Sequence, residues 1–105
     1  MARELVVSPR AEADIVAAAD RFLAYAGPTP QALKRQEALV EAIRDLIHAP
    51  VTFRTSPRFA GVRERIVSGC TIYFAVTPDT GENETAGDVL VLHIRLPGQD
   101  DPKGL

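Results

Sequence analysis

From Pro9 to Ile47 the apolar residues of this chain recur at helical spacing, and after Pro50 they recur every second residue. A chain that changes period in this way has to pack helices on one face of a sheet, because neither element buries its apolar side alone. The details sharpen the expectation. Glu4-Leu5-Val6-Val7-Ser8 reads as a short opening strand. Ser8 and Pro9 then give a helix start, with Ser able to cap orphan N–H groups and Pro suited to the first helical position. Ala11, Ile15, Ala18, Ala19, Phe22 and Ala26 form one stripe, which Gly27-Pro28 ends. Thr29-Pro30 repeats the start signal, and Leu33, Leu39, Val40, Ile43, Leu46 and Ile47 form a second stripe up to Pro50. So short a link between two helices implies an antiparallel hairpin.

Beyond Pro50 the pattern predicts strands at Val51–Arg54, Val62–Ser68, Cys70–Val76 and Val89–Leu96, with a tight turn at Gly69 and a polar loop from Pro78 to Gly87. Short connections make these an antiparallel meander. The predicted fold is therefore α+β and two-layered: an N-terminal strand, an antiparallel helical hairpin, then an antiparallel sheet of three to four strands with one face open. At 105 residues this is one domain, 1–105, with an irregular tail at 97–105.

Hydrophobic residues make up 46% of the chain and charged residues 25%, an ordinary globular balance. No apolar run approaches the roughly 18 residues of a membrane span, and the first residues do not read as a signal or transit peptide. Cys70 is the single cysteine and cannot close an internal disulfide. A cytoplasmic protein is the expectation. Twelve basic residues against fourteen acidic ones leave a net charge of −2, so direct binding of nucleic acid is not expected. Two His and one Cys argue for no metal site, and no cofactor is expected.

The strand running into SPRAEADI (Ser8 to Ile15), the hairpin closing on HAP (His48 to Pro50), then GVRERIVSG (Gly61 to Gly69), IYFAV (Ile72 to Val76) and VLVLHIR (Val89 to Arg95) resemble the ParE/RelE superfamily of toxins. The resemblance spans roughly residues 5–101. It implies the toxin of a type II toxin–antitoxin pair, and the ParE-type branch fits best: a protein that inhibits DNA gyrase and is neutralised by a cognate, ParD-like antitoxin. The alternatives are a RelE-type ribosome-dependent mRNA endonuclease and a degenerate member that only binds its antitoxin. The departures bear on that choice. Thr71 stands where members often carry a basic residue, and Leu96 followed by Pro97 stands where they often carry His. No Lys occurs between Lys34 and Lys103 and no Tyr after Tyr73, so the basic and late Tyr/His set of the nucleases is absent.

Strand alternation sorts the sheet residues into two sets. Leu90, Leu92, Ile94 and Leu96, with Cys70, Ile72, Phe74 and Val76, are placed under the helices. Val89, Val91, His93 and Arg95 point the other way, as do Thr71, Tyr73 and Ala75; Arg63, Arg65 and Val67 are assigned to the same open face. Three readings of that face stay open. As a nuclease site it would use Arg63 and Arg95 to stabilise phosphate charge and His93 to move a proton. As a solvated face its arginines would pair with Glu64 or Glu82. As an antitoxin groove it would receive an extended segment over Arg63, Arg65, Val67, Tyr73, Val89, Val91 and Arg95. Arg63 is selected by both the resemblance and the alternation, with bracing of loop carbonyls as its structural alternative. No carboxylate is evident that would orient His93. Asp14 reads as a favourable first-turn acid, His48 as a last-turn residue matched to the helix dipole, and Cys70 as core.

Overall fold

A computed structural model describes residues 2–105. The order is β1 (Leu5–Val7), α1 (Pro9–Ala26), α2 (Pro30–Asp45), β2 (Arg63–Val67), β3 (Cys70–Thr77) and β4 (Asp88–Arg95). Both helices begin as the capping chemistry dictates: the Ser8 side chain accepts from the Ala11 N–H and the Thr29 side chain from the Ala32 N–H, each with proline at the next position. Gly27, at φ 68°, supplies the left-handed residue that closes α1. The stripe of α1 is buried as read, with Ala11, Ala18 and Phe22 fully inside. In α2 the buried line is Ala32, Leu39, Ala42 and Ile43, continued by the buried Leu46 just past its end, whereas Leu33 is 61% exposed and lies off it. His48 lies in the turn beyond α2 rather than in its last helical turn.

The sheet order is β1-β4-β3-β2. Strands β2, β3 and β4 form the expected antiparallel meander, while β1 pairs parallel with β4, so the sheet is mixed. The Val51–Arg54 strand did not form. Proline at position 50 cannot donate to a ladder, and the segment makes a 3-10 turn at Pro50–Thr52, leaving only an isolated bridge from Thr55 to Arg63.

Two local features set which side chains face the helices. Ser68 and Gly69 both have positive φ, 51° and 75°, and make a two-residue hairpin that places Val67 directly opposite Cys70. Opposed residues share a face, so Arg65 joins Ile72 and Arg63 joins Phe74 on the helix side. In β4, Tyr73 pairs with His93 and Phe74 with Val91, so Leu92 is a bulged extra residue. The bulge reverses the phase of the strand's first half. Val89 and Val91 are 1% and 0% exposed in the core, along with Ile94 and Leu96, while Leu90 is 39% exposed on the other side. Ser8 seats the bulge by donating its hydroxyl to the Leu92 carbonyl and its N–H to the Val91 carbonyl, both at 2.9 Å.

Candidate functional site

The face away from the helices carries Glu64 and Ile66 from β2, Thr71, Tyr73 and Ala75 from β3, and Leu90, His93 and Arg95 from β4, with Val6 beside Leu90. Its two ends differ. At one, Val6 (51% exposed), Leu90 and Ala75 form a bare apolar strip. The other end is covered, contrary to the expectation of an open face. Phe59, from the loop before β2, meets the Tyr73 ring edge-on at 5.9 Å, and the His93 ring stacks on Tyr73 at 6.0 Å. The segment after β4 turns back over this end. Gln99 accepts from the Leu96 N–H, Asp101 reaches Arg58 at 2.7 Å and lies 3.6 Å from Arg95, Pro102 is buried, and the Gly104 carbonyl accepts from Arg10 at 2.9 Å.

His93 is held by a carboxylate after all. Asp14 Oδ2 lies 2.7 Å from His93 Nδ1 and accepts the Ile94 N–H at 2.9 Å. The reason lies in the sheet. β1 ends at Val7, so the β4 edge beyond Val91 has no strand partner, and α1 passes close enough for one side chain to fill the gap. A carboxylate that accepts the peptide N–H also fixes the neighbouring imidazole, which carries its proton on Nδ1. Asp14 is thus an edge plug rather than a helix-dipole acid.

Burial first, then the negative charges of Glu64 and Asp101, raise the Tyr73 pKa above its ordinary value. At 2% exposure its hydroxyl offers an incoming ligand little access. Arg95 donates to Thr71 Oγ1 and the Gln99 carbonyl, both at 3.1 Å.

Arg63 and Arg65 do not join this group. Arg63 grips Asp79 with two hydrogen bonds, at 2.7 and 3.0 Å, and donates to the Phe53 carbonyl at 2.6 Å and the Val51 carbonyl at 3.3 Å. It is a brace between the loops flanking the sheet, the structural alternative named above. Its hydrogen bonds hold the Asp79 carboxyl below the usual range, and the same bonds raise the pKa of the guanidinium. Arg65 lies 4.6 Å above the Phe53 ring and donates to the Ala42 carbonyl at the C-terminal end of α2, where a cation suits the helix dipole. Val67 packs against the core, and Val89 and Val91 lie within it, so the apolar floor proposed for a groove does not exist on the outer face. Glu64 pairs with Arg54 at 2.6 Å; Glu82 makes no ion pair among the described residues. Of the sequence candidates, Tyr73, His93 and Arg95 come together; Arg63, Arg65, Val67, Val89 and Val91 lie elsewhere.

Sequence reasoning passed over four residues that matter here. Asp14 was legible only as a helix-start acid, and Arg58 and Asp101 lie in loops without periodicity. Arg3 stands outside any periodic pattern or motif. Its guanidinium donates to the carbonyls of Ile47, Asn83, Ala86 and Gly87 between 2.5 and 3.1 Å, tying the first residues to the end of the hairpin and to the β3–β4 loop. Cys70 is fully buried, and burial pushes its thiol up to about 11, so it is a packing residue with little thiolate at neutral pH. No group of three or more His, Cys, Asp or Glu is placed to hold a metal among the described residues, and no helix is long and apolar enough to cross a membrane.

No family model and no curated protein matches the sequence. Solved structures do match. A chain of the structure titled "Chromosomal ParDE TA system from P. aeruginosa" aligns with a TM-score of 0.69 at 22% identity, covering 91% of this chain and 97% of that one. The helical hairpin on a four-stranded mixed sheet is therefore a ParE-like α+β fold.

Proposed function

We propose that this chain is the toxin of a type II toxin–antitoxin pair, of the ParE type, acting by protein–protein contact on DNA gyrase and neutralised by a cognate ParD-like antitoxin. The observation that carries the reading is the likeness over almost the full length to a chain of a ParDE structure. The side chains support the non-enzymatic branch. A phosphoryl-cleaving site needs donors aimed at the phosphate and an accessible proton carrier. Here Arg63 is spent on Asp79 and loop carbonyls, Tyr73 is buried, and His93 is buried between the Tyr73 ring and Asp14. The net charge of −2 gives no long-range attraction to ribosomal RNA. Recognition of a gyrase subunit needs only a complementary patch of roughly 800 Å² per partner.

One observation favours the RelE-type alternative: Asp14 holds His93 as a general base would be held. Inducing the chain without its antitoxin separates the two. The gyrase reading expects DNA breaks, a damage response and filamentous cells while amino-acid incorporation continues at first. Immediate arrest of incorporation over intact chromosomes would overturn it in favour of the nuclease, and no growth effect would leave an antitoxin binder without toxicity.

A further inference from the structure

We propose that the covered end of the outer sheet face is a docking site for an extended, carboxylate-bearing segment of a partner protein, and that the chain's own Asp101 fills it in the free protein. The inference stands apart from the toxin reading, since it concerns what the purified chain binds.

Three observations converge on it. The first is charge. Arg54, Arg58 and Arg95 gather at this end, against Glu64 beneath them and Asp101 on the covering segment. Glu64 is 5% exposed and bound through both Arg54 Nε and Nη2, so it belongs to the floor. Without Asp101 the group holds three cations to one anion and suits an acidic ligand. The second is the way Asp101 sits. One oxygen meets Arg58 at 2.7 Å, but the other stops 3.6 Å from Arg95 Nε, beyond hydrogen-bond range. That Nε is buried and has no hydrogen-bond partner among the described residues. The segment is thus an incomplete occupant: a carboxylate a few tenths of an ångström deeper would add a charge-assisted bond that Asp101 does not make. The third is the anchoring. Residues 97–99 are held by Arg21 on the Pro97 carbonyl and by the Leu96 N–H and Arg95 on Gln99, but past Gln99 Pro102 is the one buried residue and the remaining ties are exposed: the Arg58–Asp101 pair and the bond from Arg10 to the Gly104 carbonyl. Half-exposed pairs contribute little to stability, so the segment can lift without unfolding the domain.

The covering segment shows what fits: an extended stretch with an acid followed by proline, crossing from Arg58 toward Arg10 at the start of α1. A partner segment competes with a tethered rival whose local concentration is roughly millimolar, so weakening the rival should strengthen the partner's binding. A carboxylate is favoured because the occupant seen here is one: Asp101 sets one oxygen on Arg58 and turns the other toward Arg95.

The experiment uses the full chain and a synthetic peptide with the sequence of residues 97–105, titrated while the Tyr73 ring signals are followed by NMR. Thermal melts confirm that each variant is folded. Asp101→Asn should bind the peptide about fivefold more tightly than the unsubstituted chain, since one half-exposed charge pair is lost from the rival. Adding Arg95→Gln to Asp101→Asn should weaken binding about tenfold, the usual effect of losing a hydrogen bond to a charge. A peptide with both aspartates replaced by asparagine should not bind. Affinities within twofold between Asp101→Asn and the unsubstituted chain would overturn the proposal, as would no binding to either. A tetranucleotide RNA that displaces the peptide at lower concentration would overturn it in favour of a phosphate site. Should Arg95→Gln fail to fold, Arg58→Ala in the Asp101→Asn chain, at a 47% exposed side chain, carries the same test.

Discussion

The two halves of β4 build opposite surfaces from the same strand. Before the bulge, Val89 and Val91 fill the core and the outward partners are apolar and bare: Leu90 between Val6 and Ala75. Past Leu92 the outward residues are His93 and Arg95, opposite Tyr73 and Thr71, and this half is roofed by Phe59 and the 97–105 segment. The difference follows from hydrogen-bonding capacity. A bare apolar strip costs little in a folded protein, whose surface is largely apolar anyway. A buried Tyr–His stack with an arginine beside it has to find partners, and it finds them in Asp14, in Thr71 and in a segment that folds back.

The contrast predicts unequal costs of truncation. Tyr73→Ala should lose about 4 kcal/mol, the usual effect of removing a buried aromatic ring, whereas Leu90→Ala on the bare half should change stability by less than about 1 kcal/mol. Urea unfolding of the two variants measures both, and similar losses would erase the distinction between the halves.

Asp14→Ala should cost about 2 kcal/mol, because it leaves the Ile94 N–H and the His93 Nδ1–H without an acceptor. If Asp14 acted only through the helix dipole, the loss would stay below about 1 kcal/mol, no larger than that of Glu12→Ala, the acid in the first turn of α1. Denaturant midpoints of these two variants, side by side, decide between the roles.

A smaller effect is expected from Arg63–Asp79, on the opposite side of the sheet from the roofed half. Asp79 titrates lower folded than unfolded, so its pairing adds stability that is fully present above the ordinary carboxylate pKa of about 3.9 and is lost as pH falls through the folded value. Asp79→Asn should flatten the fall of melting temperature below about pH 4 while leaving the profile from pH 6 to 8 parallel to that of the unsubstituted chain. An unchanged acid limb would remove Arg63 from its role as a brace.

How much of this was legible in the sequence follows the same division. Both helices and their caps could be read because Ser8-Pro9 and Thr29-Pro30 act locally. The face of β2 was also recoverable in principle. A two-residue turn at Ser68-Gly69 forces Val67 opposite Cys70, so placing Cys70 in the core places Arg65 and Arg63 on the helix side too. Alternation taken strand by strand, without the turn, put them on the wrong face. The bulge was not recoverable, since nothing about Leu92 differs locally from its neighbours, and it alone sends Val89 and Val91 inward. Asp14 and Asp101 act at sequence separations that periodicity does not reach: 79 residues to His93 and 43 to Arg58.

The proposed action on gyrase, by binding a protein and not by cleaving RNA, can be tested on the purified enzyme. The chain and its His93→Asn variant, which keeps a donor for Asp14, are added to gyrase with relaxed plasmid, and supercoiling is followed. Both should inhibit supercoiling to the same extent within about twofold, because binding gyrase needs no proton transfer, a role that usually contributes about 100-fold where it operates. Full supercoiling in the presence of the chain, together with ribosome-dependent transcript cleavage that His93→Asn abolishes, would contradict a gyrase-directed toxin.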